Sequence, residues 1–129
     1  MPLVRITLAA GKPAQYRRAV ADGIHDALVE TASVPPDDRF QVVEEVSAEN
    51  FVCSPSYLGV DHTPDAIFVQ IFLNRGRTVE VKAELYAAIA ANLNESPGVR
   101  KQDVIVNLVE VSRENWCFGD GVMSYSPAP

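Results

Sequence analysis

Laid on itself with a shift of 65 residues, the chain repeats. Gly11 falls on Gly76, Asp38 on Asp103, and Glu45-Val46-Ser47 on Glu110-Val111-Ser112; Glu49-Asn50-Phe51 then falls on Glu114-Asn115-Trp116 without a gap. A chain that spells one pattern twice is confined to folds built from two like halves. We expect one domain over residues 1–129, made of repeats at about 1–65 and 66–129.

Each copy reads as strand, helix, strand. Leu3 to Leu8 alternates, with Val4, Ile6 and Leu8 on one face and Arg5 and Thr7 on the other, as a strand with one buried side does. Gly11-Lys12-Pro13 breaks it, and Pro13 suits the first turn of a helix. Tyr16, Val20, Ile24 and Leu28 then recur every four residues, with Arg17, Arg18, Asp22 and Asp26 opposite. Val34-Pro35-Pro36 stops that helix, and Phe40 to Val46 reads as the next strand. In the second copy, Ile67 to Leu73 is the apolar strand, Val81, Leu85, Ile89 and Leu93 mark the helix, and Val104 to Val111 closes the unit. Strands separated by a helix pair in parallel, so the expected architecture is α/β: a four-stranded sheet with two helices on one face. Nothing left in the chain is large enough to cover the other face. A homo-oligomer stacking sheet on sheet is therefore expected.

Composition excludes more than it selects. A net charge of −6 argues against general affinity for nucleic acid or anionic membrane. There is no 18-residue apolar stretch and no leader pattern, so neither membrane insertion nor export is expected. Cys53 and Cys117 have no metal-type spacing, which suits a reduced, cytoplasmic compartment. Both read as small packing groups, because neither has a recognisable activating partner.

Met1-Pro2 opens only the first copy; its counterpart to Pro2 is Ile67, an ordinary strand residue. Initiator methionine is normally trimmed before a small residue, which would leave Pro2 as a free secondary amine. An α-amine has a pKa of about 7.7–8.0, already near the range useful for general acid–base chemistry. Neutral Pro2 would serve as a base or form an iminium; protonated Pro2 would polarise a carbonyl. Pro2 read structurally is a strand-start proline, tolerated where its missing donor does no harm.

Met1-Pro2, the doubled β-α-β, Asn74-Arg75-Gly76-Arg77-Thr78 and Asn115-Trp116-Cys117-Phe118-Gly119-Asp120-Gly121 together resemble the tautomerase superfamily. Within it the chain is most similar to the malonate semialdehyde decarboxylase group, and the likeness runs over nearly the whole length. The resemblance implies a trimer and an amino-terminal proline as the catalytic group. It also implies an arginine pair that binds the substrate carboxylate, Arg75 with Arg77, and an aspartate that activates water, Asp38. The small carboxylate substrate would be a 3-oxo acid, lost as carbon dioxide after hydration or through an iminium. Keto–enol tautomerisation of a 2-oxo acid such as phenylpyruvate is the alternative on the same fold, and a non-catalytic MIF-like binding or signalling trimer is the alternative of another class. No metal or organic cofactor is suggested. One departure is Gly76 between the arginines, where the decarboxylase has proline; another is Asp120 close to the aromatic tail.

The repeat weighs these assignments. Arg75 falls on Ala10, and a cation there opposes the helix dipole, which favours a functional reading. Arg77 falls on Lys12, so its charge is partly structural. Asp38 falls on Asp103, where no active site is expected, so a turn role would explain both. Trp116, Phe118 and Tyr125 read either as packing between subunits or as an apolar wall beside Pro2. His25, on the polar side of its helix, and His62, in a loop, read as solvated, and Tyr57 in that loop has no geometry assigned.

Overall fold

The structure, a computed structural model, describes residues 1–126. Strand β1 (Leu3–Ala9) leads to helix α1 (Ala14–Thr31) and β2 (Gln41–Val46); a short hairpin of β3 (Ser56–Tyr57) and β4 (Val60–Asp61) follows. The second half supplies β5 (Ile67–Asn74), α2 (Val79–Glu95) and β6 (Val104–Val111). The sheet order is β2-β1-β5-β6, with β1/β2 and β5/β6 parallel and β1/β5 antiparallel.

The 65-residue shift holds through the registers. Val4 pairs with Gln41, and Val69 with Val106, so each half sets its two strands in the same register. Across the centre Arg5 faces Gln70, its own counterpart, which places the pseudo-twofold axis between them. The loops repeat too: Gly11 and Gly76 take φ values of +123° and +129°. Proline cannot adopt that backbone, so the glycine between the arginines belongs to a turn that both halves share.

Val4, Ile6, Leu8, Ile67, Val69, Ile71 and Leu73 point to one face and are buried against Val20, Ile24, Leu28, Leu85, Ile89 and Leu93 of the helices. Each such side chain contributes about 1.5–3 kcal/mol by leaving water. Gly23 lets the helices close: a Cβ there would lie 2.8 Å from Leu93 Cδ2, and its carbonyl accepts from Asn92 Nδ2 at 3.0 Å. The opposite face carries Leu3, Arg5, Val42, Phe68, Gln70, Phe72 and Ile105; Phe51 stacks on Phe68, but no helix or sheet of the described residues covers the face, and Val42 remains 48% exposed.

Three local expectations change. Phe40 precedes β2 rather than starting it, and its carbonyl accepts from Val4 N at 2.9 Å. Pro13 is the residue before α1 rather than within its first turn. The loop holding Tyr57 and His62 contains the β3/β4 hairpin, turned by Leu58 and Gly59 at φ +50° and +81°.

Candidate active site

Topology gathers the candidates. Because β1 and β2 are parallel, their starts lie side by side; because β5 runs antiparallel to β1, its end comes to the same edge. Leu3 pairs with Phe72, and Asn74 with Val111. The chain start, the Asp38-Arg39-Phe40 approach to β2, the Asn74–Arg77 exit from β5 and the Trp116 segment after β6 therefore share one end of the sheet.

There the α-amine of Met1 stands 3.9 Å from Asp38 Oδ2, with side-chain exposures of 14% and 10%. Pro2 is buried, and its nitrogen lies one residue along, about 3.5 Å of chain from that amine. Burial pulls the amine below its ordinary value, outweighing the upward pull of Asp38, and Arg77 adds to the fall. Burial raises the Asp38 carboxyl, with Asp37 adding; the amine, His25 and Arg77 oppose the rise without cancelling it. Both shifts favour the uncharged partners, since desolvation outweighs the attraction of the pair.

Asp38 and Asp103 share a backbone turn but not a side-chain environment. Asp38 N donates to Pro35 O at 3.0 Å, as Asp103 N does to Arg100 O at 2.9 Å. Asp103 is fully buried and satisfied: Thr63 donates its backbone N–H to Oδ1 at 2.8 Å and its hydroxyl to Oδ2 at 2.5 Å. Shifted back by 65, Thr63 would precede the chain start, so Asp38 meets the amine instead. Its Oδ1 is buried and accepts no hydrogen bond from the described residues. A buried oxygen left so costs about 1–3 kcal/mol.

The arginines differ. Arg77 donates Nε and Nη2 to Ala32 O, at 3.2 and 3.0 Å, and Nη1 to Asn74 O at 3.2 Å, tying the end of α1 to the end of β5. Arg75 is exposed; its backbone N–H donates to Val111 O at 3.1 Å, and its charge acts on Glu110. Thr78 caps α2, accepting from Val81 N at 3.2 Å.

Three aromatic rings from the tail and one from the β2 approach form a continuous wall. Trp116 stacks on Phe118 at 5.1 Å, Phe118 meets Phe40 at 5.2 Å, and Tyr125 abuts Phe118 edge-on at 6.1 Å. Trp116 Nε1 donates to Asn74 Oδ1 at 2.7 Å. Burial raises the Tyr125 phenol and Asp38 adds to the rise, against Arg113, whose guanidinium lies 5.8 Å from that ring. Asp120 is exposed in a glycine-flanked turn at φ +59°.

Sequence reasoning missed Phe40, Asn74 and Arg113. The repeat held a signal for two of them: Asn74 and Arg113 fall on Ala9 and Ala48, so neither polar group is required by the fold. His25 is a correction, being 7% exposed with Nε2 2.7 Å from Pro36 O, because the loop after α1 folds over it. Tyr57 is 65% exposed on the hairpin, beside Phe68 and Val104 at the other end of the sheet. His62 Nδ1 lies 2.7 Å from Ser54 O, Cys53 is half-buried and Cys117 exposed. Among the described residues no His/Cys/Asp/Glu cluster is arranged to hold a metal ion, and no helix is long and apolar enough to cross a membrane.

This doubled β-α-β, with an amine and a carboxyl paired at the chain start, defines a recognisable class. Two family profiles, each described as tautomerase enzyme, match residues 38–119 and 2–61. Probable tautomerase YusQ of Bacillus subtilis (strain 168) is 36% identical over 121 residues, covering 94% of this chain and 95% of that protein. A structure of FG41 malonate semialdehyde decarboxylase inhibited by 3-bromopropiolate superposes with a TM-score of 0.89 at 35% identity, covering 95% of this chain and 93% of that one. A symmetric trimer of a fused 4-OT shares the fold, with a TM-score of 0.77 at 23% identity over 95% of each chain. The chain belongs to the tautomerase superfamily, and within it is similar to malonate semialdehyde decarboxylase.

Proposed function

We propose that the protein, once Met1 is removed, is an enzyme that decarboxylates a small 3-oxo acid of the malonate semialdehyde type through the Pro2 amine. The observation that carries this is the contrast between the twin aspartates. The fold satisfies Asp103 with Thr63 and leaves Asp38 buried, with a free oxygen, against the chain-start amine.

Burial lowers the amine and raises the carboxyl beside it, the directions that iminium chemistry asks of its nucleophile and its proton donor. The nitrogen attacks the C3 carbonyl, and Asp38 gives a proton to the departing oxygen, which leaves as water. Arg75 holds the carboxylate with its planar fork, and Arg77, whose Nε and Nη2 donate to Ala32 O, adds its positive charge beside it. The C1–C2 bond then breaks, its electron pair forming C2=C3 while the C=N π pair moves onto nitrogen, giving carbon dioxide and an enamine. A solvent proton at C2 restores an iminium; water, deprotonated by Asp38, adds at C3, and cleavage of the C–N bond releases the aldehyde one carbon shorter and returns the amine. The aromatic wall from Trp116 to Tyr125 keeps the site apolar, which favours loss of the charged carboxylate. No cofactor takes part in these steps. A homotrimer is part of this reading, supported by the uncovered sheet face and the trimeric fused 4-OT of the same fold.

The chain-start pocket, where burial pulls the Met1 amine down, also favours a second reading once Met1 is gone: neutral Pro2 as the base of a keto–enol tautomerase acting on phenylpyruvate. Borohydride added during turnover of malonate semialdehyde separates the two. Decarboxylation through an iminium leaves a reduced adduct on the Pro2 peptide. Rapid phenylpyruvate ketonisation, with no adduct and no carbon dioxide, would replace the first reading with the second.

A further inference from the structure

We propose that His25 is the positioning residue that holds Asp38 against the reactive amine, acting through the turn that carries it. The inference rests on the roles given above to Pro2 and Asp38.

The segment after α1 is anchored at its ends, by the buried Val34 and by Arg39, which donates to Asp22 Oδ1 at 2.6 Å, and between them it has few ties. Pro35 and Pro36 carry no N–H, and Ser33 takes a left-handed φ of +59°. Its backbone bonds are Val34 N to Leu28 O at 3.4 Å and Asp38 N to Pro35 O at 3.0 Å. Beneath it the imidazole of His25, 7% exposed, meets the Pro36 carbonyl at 2.7 Å. A carbonyl only accepts, so Nε2 carries the proton and donates. Pro36 is two residues from Asp38, and His25 is among the groups whose charge bears on that carboxyl, along with the amine, Asp37 and Arg77.

The duplicated half is an internal control. There the position of His25 is held by Ala90 and that of Pro36 by Lys101, so the helix–turn unit forms without the imidazole. Its aspartate is instead gripped directly, by Thr63 and by Arg100 Nη1 at 3.5 Å. A direct grip of that kind would use up the lone pairs that Asp38 keeps open. Tying the turn at Pro36 fixes the backbone while leaving the carboxylate free, and only the half with the amine does this.

The test uses the trimer with Met1 removed and nitrogen-15 proline at position 2. The amine is titrated by NMR in the parent, Asp38→Asn, His25→Asn and His25→Gln. Asn is one methylene too short to reach Pro36 O; Gln reaches it and carries no charge. Asp38→Asn lowers the amine pKa, because a nearby carboxylate favours the ammonium. His25→Asn is expected to lower it at least half as far and to cut kcat about tenfold with KM within about twofold, both restored by His25→Gln. Parent values in His25→Asn, beside a shifted Asp38→Asn, would overturn the role of His25 and leave that of Asp38 standing. An amine unmoved by Asp38→Asn would overturn both. Loss that His25→Gln does not restore, with a lowered melting temperature, would make His25 a packing residue and overturn the inference as well.

Discussion

At the scale of single residues, the site trades stability for chemistry. Burial raises the Asp38 carboxyl above its ordinary 3.8, so the folded state binds more protons than the unfolded one just above that pH. Stability therefore falls as pH rises through the folded value. Asp38→Asn should accordingly be more stable than the parent by about 1 kcal/mol at about pH 9 and should lose that advantage at about pH 3. Urea unfolding at the two pH values checks it; a gain that grows towards acid would contradict the sign. The arginines should separate in the same kind of assay. Arg77→Met removes three donors from the carbonyls of Ala32 and Asn74 and should cost about 1–3 kcal/mol. Arg75→Met, at an exposed site, should leave stability within about 0.5 kcal/mol and raise KM for the substrate by tenfold or more.

At the scale of elements, the repeat made the strands and helices legible and also showed where the halves must differ. Gly11 and Gly76 occupy one shared turn, so Gly76→Ala should destabilise by about 1 kcal/mol through its positive φ alone, since a Cβ there meets no atom within 4 Å. Thermal unfolding measures this; an unchanged melting temperature would mean that the turn relaxes. The same repeat misled at Asp38. Asp38 and Asp103 look equivalent in sequence, and what separates them is Thr63, a residue 40 positions away that has no counterpart in the first half. His25 was misread for a related reason. Helical spacing puts it beside Asp22 and Asp26, but the Pro35-Pro36 turn folds back over that side, and periodicity says nothing about what a loop covers. The β3/β4 hairpin has two residues per strand, too few for alternation to register.

For the whole molecule, a sheet with one bare face calls for a second layer from other copies of the chain, which the proposed reading makes a trimer. Phe68, Gln70 and Phe72 of β5 lie on that face, so Phe72→Lys should shift the sedimentation coefficient from trimer towards monomer while far-ultraviolet circular dichroism stays helical. A trimer that survives the charge would place the interface elsewhere. The central claim concerns the other end of the molecule: the chemistry belongs to the nitrogen of Pro2, which is an amide while Met1 is attached. The most direct measurement is carbon dioxide release from malonate semialdehyde by two preparations that differ only in Met1, one treated with methionine aminopeptidase and one not, each verified by intact mass. The account predicts turnover faster by about 10³-fold after removal, with an unchanged oligomer. Equal rates from the two preparations would contradict it.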